Sequence, residues 1–293
     1  MPMRMWLGVS VAVVLVAAAF AASTASGRST AAPRVLLIGD SVATGMQWYD
    51  NAATVLERNL EIDWQVAVCR RLVGQGCTFQ GVTPPSLVSV VSSLGPVPSV
   101  VVVEMGYNDY EATFAANVEQ SIDLLIRHGA HHILWLTLRA VRHPYVQMNA
   151  ALAAAAARHP QVTLVDWNRA SRNQPSWFQS DGEHLVVSGG VAMAALIHLA
   201  VDKVTNPLHP VAQPLPPGHV GVRYSTRLTA TGGERPYRWR LAGPPPRGLH
   251  LLANGRLYGV PEEARRMSVT ARVSDAEGQV ASRRLAFIVG PSP

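Results

Sequence analysis

Thiols are almost absent from this chain: its 293 residues include two cysteines, Cys69 and Cys77. Two are too few for a cysteine-built metal site. The adjacent pair His131-His132 stands alone, so no metal is expected. Charged residues are also scarce at 15%, yet the 48% hydrophobic content is that of a folded globular protein and excludes a disordered one. No Gly-x-Ser-x-Gly elbow occurs, which disfavours the α/β-hydrolase fold. Gly74-Gln75-Gly76 has Phe79 where a dinucleotide fingerprint needs its third glycine, and there is no phosphate loop. Neither a cofactor nor a nucleic-acid partner is expected. There is no internal repeat, and beyond the N-terminus no second apolar run long enough to span a membrane.

What is present begins with Arg4 and an apolar run from Trp6 to Ala22, followed by Ser, Thr and Gly. Small residues at Ala19 and Ala21, or at Ser23 and Ala25, suit a signal-peptidase cut. The alternative is an uncleaved anchor, since such a run just reaches across a bilayer. Either way the remainder is exported, to be secreted or held in the cell envelope. In an exported chain, two cysteines this close read as a disulfide, worth roughly 2–3 kcal/mol in the chain-entropy model. The net charge of +6 is uneven: residues 31–206 carry 11 basic and 14 acidic side chains, and residues 207–293 carry 12 arginines against 5 acids.

The length suits about two domains. From Val35 onward, short continuous apolar runs (Val35–Ile38, Trp64–Val68, Val100–Met105, Ile133–Leu138, Val162–Val165) alternate with helix-like stretches. The latter are Ala52–Asn59, Pro85–Leu94, Ala112–His128, Tyr145–His159 and, after Ser188 as N-cap, Val191–Lys203. This alternation predicts an α/β domain over residues 31–206, with a parallel sheet covered on both faces. Five prolines between Pro207 and Pro217 predict a semi-rigid linker over 207–218. Beyond it, Arg223–Ala230, Tyr237–Leu241, Arg256–Gly259, Ser268–Val273 and Ala281–Val289 alternate between turn signals and predict a small all-β sandwich over 219–293.

Three short signals carry chemistry. Gly39-Asp40-Ser41 follows the first strand and opens a helix, whose N-terminus offers N–H groups to a developing oxyanion. Met105-Gly106-Tyr107-Asn108-Asp109 follows the third strand; the Asn108 amide can donate to the same oxyanion, and Asp109 suits a helix cap. Asp181-Gly182-Glu183-His184 precedes the last helix. A serine hydroxyl needs a base, and a carboxylate three residues earlier can hold the other ring nitrogen of that base. Each signal alone is weak, but together, in this order and at these intervals, they resemble the SGNH (GDSL-type) hydrolase superfamily over residues 33–203. Thr137-Leu138-Arg139, Tyr145 and Asn149, ahead of Asp166, look like the later part of the same family.

The resemblance implies a flavodoxin-like three-layer fold and a serine esterase working through an acyl-enzyme. Ser41 would be the nucleophile, His184 its base and Asp181 the orienting acid. The Ser41 N–H and Asn108 would be oxyanion donors. The family's further glycine N–H is not fixed by the sequence; Gly74 and Gly76 are the candidates, with Gly81 behind them. Arg70 and Arg71 suit either an anionic substrate or a solvated loop face. The implied substrate is an acyl ester of a carbohydrate or lipid. A transferase passing the acyl group to a sugar hydroxyl is the alternative, and a non-catalytic envelope-binding protein is a third reading. Tyr224, Leu228-Thr229-Ala230, Gly232-Gly233, Pro236-Tyr237-Arg238-Trp239, Gly248-Leu249 and the run Gly255–Pro261 resemble Ig-like modules of bacterial surface proteins. Their arginines suit a solvated face or an anionic envelope polymer.

Overall fold

Residues buried on both faces of a sheet have no reason to alternate in polarity, and the first strand shows it: Val35, Leu36, Leu37 and Ile38 are all wholly buried. In the computed structural model, which describes residues 32–212 and 214–293, this strand lies in a five-stranded parallel sheet whose inner strands are buried and whose edge strands are partly exposed. The five are β1 (Arg34–Gly39), β2 (Glu61–Val66), β3 (Val100–Glu104), β4 (His132–Leu136) and β5 (Val162–Val165), in the order β2-β1-β3-β4-β5. That order is flavodoxin-like, and it reverses direction between β1 and β3. The N-terminal apolar segment and its cleavage sites lie outside the described residues.

Helices cover both faces. On one, α1 (Ser41–Trp48) and α2 (Asp50–Glu57) pack with α7 (Val187–Thr205). On the other lie α3 (Leu87–Leu94), α4 (Glu111–Arg127) and α5 (His143–Arg158), as right-handed crossovers require. The short α6 (Trp167–Ser171) follows β5, capped by Asp166. One continuous core joins the layers, with Trp135, Trp167 and Phe114 its largest fully buried side chains. Ser188 is not the cap of the last helix. That helix begins earlier, at Val187, and the Ser188 hydroxyl instead donates to the Ser176 carbonyl at 3.4 Å. With this extension α7 is long and apolar enough, by length and composition, to cross a membrane. Its Met193, Ala194, Ile197 and Val201 are nonetheless buried in the domain core.

A second core gathers Tyr224, Trp239, Leu249, Leu257, Val273 and Phe287. Around it lie a four-stranded sheet and a three-stranded sheet. The first orders β10 (Arg238–Leu241), β13 (Arg266–Ser274), β14 (Val280–Gly290) and β7 (Gly218–His219). The second orders β11 (Leu249–Leu251), β12 (Arg256–Gly259) and β8 (Tyr224–Arg227). A two-stranded ribbon pairs β6 (His209–Pro210) with β9 (Ala230–Thr231). Residues 207–218 are therefore not free linker. They supply β6 and β7, and Leu208 and Leu215 are buried in the second core.

The two cores meet through a polar junction. Gln279 is buried; its amide donates to Asp202 on α7 at 2.8 Å, and its carbonyl accepts from Leu208 N at 3.1 Å. Asp275 accepts from Gln279 N at 2.7 Å, and Asn206 exchanges hydrogen bonds with Gly233 at 2.8 and 3.3 Å. Truncating Gln279 removes its side-chain bonds to Asp202 and Leu208 N and leaves the buried Leu208 N without this acceptor. Gln279→Ala should lower the unfolding free energy by about 1–3 kcal/mol in a urea titration. An unchanged midpoint and slope would mean that the junction contributes nothing to stability.

Candidate functional site

The turn from β1 into α1 is sterically tight. A Cβ at Gly39 would lie 2.3 Å from the Ala43 side chain and 3.2 Å from the Glu104 carbonyl, so only glycine fits. Asp40 then caps α1, accepting from Val42 N at 3.0 Å, and places Ser41 at the first helical residue. There the Ser41 N–H has no intrahelical partner. The second Asp40 oxygen accepts from Gly106 N and Tyr107 N, both at 3.3 Å. This ties the tip of β1 to the turn that carries Asn108. The Asn108 Nδ2 is buried and has no hydrogen-bond partner among the described residues.

Asp181 shapes its own loop. One carboxylate oxygen accepts from Glu183 N at 2.8 Å and His184 N at 3.0 Å, which aims the other at His184 Nδ1, 2.7 Å away. His184 Nε2 in turn lies 3.0 Å from Ser41 Oγ. Ser41, His184 and Asp181 are thus brought into one hydrogen-bonded line. Burial pushes the Asp181 carboxyl upward. The N–H bonds from Glu183 and His184, and the imidazole itself, outweigh that and hold it down at about 2. Asp181 therefore stays ionised across the physiological range.

The base loop is braced from behind. The Arg139 guanidinium donates to the Gly182 carbonyl and stacks on Phe178 at 4.1 Å, while its backbone N–H donates to Tyr107 Oη at 2.9 Å. Glu183 points away from the imidazole into the fold, taking Tyr145 Oη at 3.1 Å and the Arg142 guanidinium at 3.3 Å. Asn149 pins both backbone groups of Leu138 at 2.7 Å. Glu183 and Arg142 carried no signal beyond their proximity to the motif, because their partners are distant in sequence.

The loop after β2 is closed by the Cys69–Cys77 disulfide, with Cα atoms 5.1 Å apart. Gly76 runs against the backbone of Cys69; a Cβ there would lie 1.7 Å from its carbonyl oxygen. Gly74 is exposed, with φ +75°, and a Cβ there would meet nothing. Asp109 does not cap α4. Both its oxygens accept from Leu72 N at 3.2 Å, tying the disulfide loop to the tip of β3, and burial lifts its pKa to about 6. Arg70 is buried and spends its guanidinium on the Pro85 and Gln65 carbonyls, so it faces no substrate. Among the described residues no group of three His, Cys, Asp or Glu side chains is placed to hold a metal ion.

No family model matches the chain. Among curated proteins it is 32% identical over 162 residues to the O-acetyltransferase OatA of Staphylococcus aureus, a match covering 55% of this chain and 24% of that protein. YrhL of Bacillus subtilis, provisionally named a peptidoglycan O-acetyltransferase, is 35% identical over 97 residues, covering 33% of this chain and 14% of its own. The chain thus spans about a quarter or less of these relatives' length. Among solved structures, the carbohydrate acetylesterase Est24 of Sinorhizobium meliloti overlaps 59% of this chain and 99% of its own at 13% identity. Its TM-score of 0.45 is too low to bear weight.

Under the site lies a buried pair of acids. Glu104 ends β3 beside Asp40, and its Oε2 has no hydrogen-bond partner among the described residues. Burial, and then the Asp40 charge, push the Glu104 carboxyl well above its usual range. Burial lifts Asp40 to about 7 against its three N–H bonds. A protonated Glu104 is favoured by the fold, so its contribution is complete below the unfolded value of about 4.3 and is lost as pH rises through the folded value. Glu104→Gln has no such loss. Its stability relative to the parent should improve as pH rises from 5 to 9 in urea titrations. A difference that stays constant or reverses would mean that Glu104 is ionised in the native state.

Proposed function

We propose that this chain is an exported serine enzyme that breaks acyl esters of carbohydrates through an acyl-enzyme. One observation carries the reading: His184 Nε2 stands 3.0 Å from Ser41 Oγ while Nδ1 stands 2.7 Å from Asp181. A hydroxyl, a base and an orienting anion in that line are what nucleophilic acyl chemistry needs.

In this mechanism Ser41 Oγ attacks the ester carbonyl carbon as its proton passes to His184 Nε2. The Ser41 N–H and the Asn108 amide stabilise the oxyanion, with a third N–H from Gly74 or Gly76 in the disulfide loop. Collapse expels the alcohol oxygen, which takes the proton back from His184. Water, deprotonated by the same imidazole, then releases the acid and restores Ser41. The likeness to proteins named O-acetyltransferases favours a second outcome of the same intermediate, in which a sugar hydroxyl replaces that water. On either outcome the substrate is an envelope or extracellular carbohydrate. The β domain, read as an Ig-like module, would hold the enzyme near an anionic polymer through its arginines.

Hydrolysis of p-nitrophenyl acetate tests the site. Ser41→Ala and His184→Ala should each remove nearly all turnover with an unchanged far-UV spectrum. Asn108→Ala should lower kcat by about 100- to 1,000-fold, the effect of one lost oxyanion donor. Full turnover in Ser41→Ala on every ester the parent cleaves would end the proposal. Adding an oligosaccharide acceptor and measuring acetyl-sugar against acetate separates transfer from hydrolysis.

A further inference from the structure

Arg71 is placed differently from its neighbour Arg70. It projects from the disulfide loop over Tyr110, with the guanidinium carbon 4.0 Å from the ring centroid. Tyr110 is 66% exposed and lies two residues beyond Asn108, so the stacked pair is on the surface of the segment that carries the proposed oxyanion donor. The position is held from several directions. Leu87 N donates to the Arg71 carbonyl at 3.0 Å, and Leu72 N donates to Asp109. Arg71 Nη1 donates to the Gln75 carbonyl at 3.2 Å, and the Cys69–Cys77 bond closes the loop around all of these.

A guanidinium has five N–H donors in a rigid fork. Only one of the five on Arg71 has a hydrogen-bond partner among the described residues; Nε is buried, so the donors that a ligand could meet are the remaining ones on Nη1 and Nη2. Asp109 directs its carboxylate at Leu72 N and feels the Arg71 charge, but Arg71 makes no close ion pair among the described residues. A stacked, pre-oriented fork with donors to spare matches a carboxylate, which it can bind in bidentate fashion.

We propose that Arg71, held on Tyr110, selects the substrate of this site by pairing with a carboxylate on the alcohol half of the ester. The acetylated sugar is then an acidic one. The proposal rests on the Ser41 reading and deepens it. The probes are O-acetylated galacturonic-acid oligomers and the same oligomers with their carboxylates methyl-esterified. The parent should favour the acidic form by about 10- to 100-fold in kcat/KM, mostly through KM, as expected for a charge-assisted pair. Arg71→Gln should bring that ratio close to one, and Arg71→Lys should restore part of it, because lysine keeps the charge without the fork. A parent ratio near one, a ratio unchanged in Arg71→Gln, or no action on either oligomer by a protein that cleaves p-nitrophenyl acetate overturns the proposal and leaves Ser41 in place. Full p-nitrophenyl acetate turnover in Ser41→Ala overturns both.

Discussion

The Asp40 carboxylate joins two chain segments 66 residues apart, one carrying Ser41 and the other Asn108. Its Oδ1 fixes the first turn of α1 and its Oδ2 fixes the turn after β3. Both segments leave the carboxyl ends of adjacent strands, Gly39 lying opposite Glu104 in the register of β1 and β3. Parallel sheets form binding crevices at such a reversal of strand order. The crevice is open by topology, but topology does not set the position of a side chain within a fraction of an ångström. Asp40 supplies that restraint at the cost of burying a carboxylate, offset by three N–H bonds.

The restraint extends to the base. Tyr107, whose N–H is held by Asp40, accepts the Arg139 N–H at its hydroxyl, and the Arg139 guanidinium holds the Gly182 carbonyl. The Tyr107 ring also meets Tyr145 edge-on at 5.2 Å, and Tyr145 donates to Glu183 beside His184. A continuous chain of contacts therefore runs from the helix that carries Ser41 to the loop that carries His184. Such bracing limits the reorganisation needed when charge develops, and preorganised dipoles contribute most where they need not move. On the proposed mechanism Arg139 and Tyr145 would be positioning residues.

The inner strands were readable because strands buried on both faces appear as unbroken apolar runs, and Val162–Val165 matches β5 residue for residue. The edge strand β2, Glu61–Val66, alternates in polarity, and the apolar signal placed it too late, at Trp64–Val68. The Asp-x-x-His spacing was readable for a different reason: it is a local turn, so sequence distance sets geometry. Long-range partners were not readable. Asp109 looked like a cap, since an acid ahead of a helix usually is one. Its actual partner, Leu72 N, lies 37 residues back in a loop brought near only by the β2–β1–β3 order. Proline concealed β6 and β7 in the same way. A two-residue strand such as His209–Pro210 has no periodicity to detect, and proline is tolerated only at such an edge.

Whether the proposed acyl-enzyme yields acid or a new ester depends on which hydroxyl reaches it first. Water stands at about 55 M, whereas a bound and aligned hydroxyl can reach an effective molarity of about 10⁵ M or more. A transferase therefore need not exclude water completely; it needs a rim that holds its acceptor in line with the base. The Asp181 and His184 side chains are each 39% exposed, so on this reading the base is partly open to solvent. Discrimination is left to the surface beside the site. The Arg71–Tyr110 pair is a rigid, polar part of that surface, fixed by the disulfide loop and by Asp109. The partition between hydrolysis and transfer would then be set by how tightly this rim holds the sugar, while Ser41 and His184 would perform the same proton movements, with Asp181 orienting the imidazole, in either case.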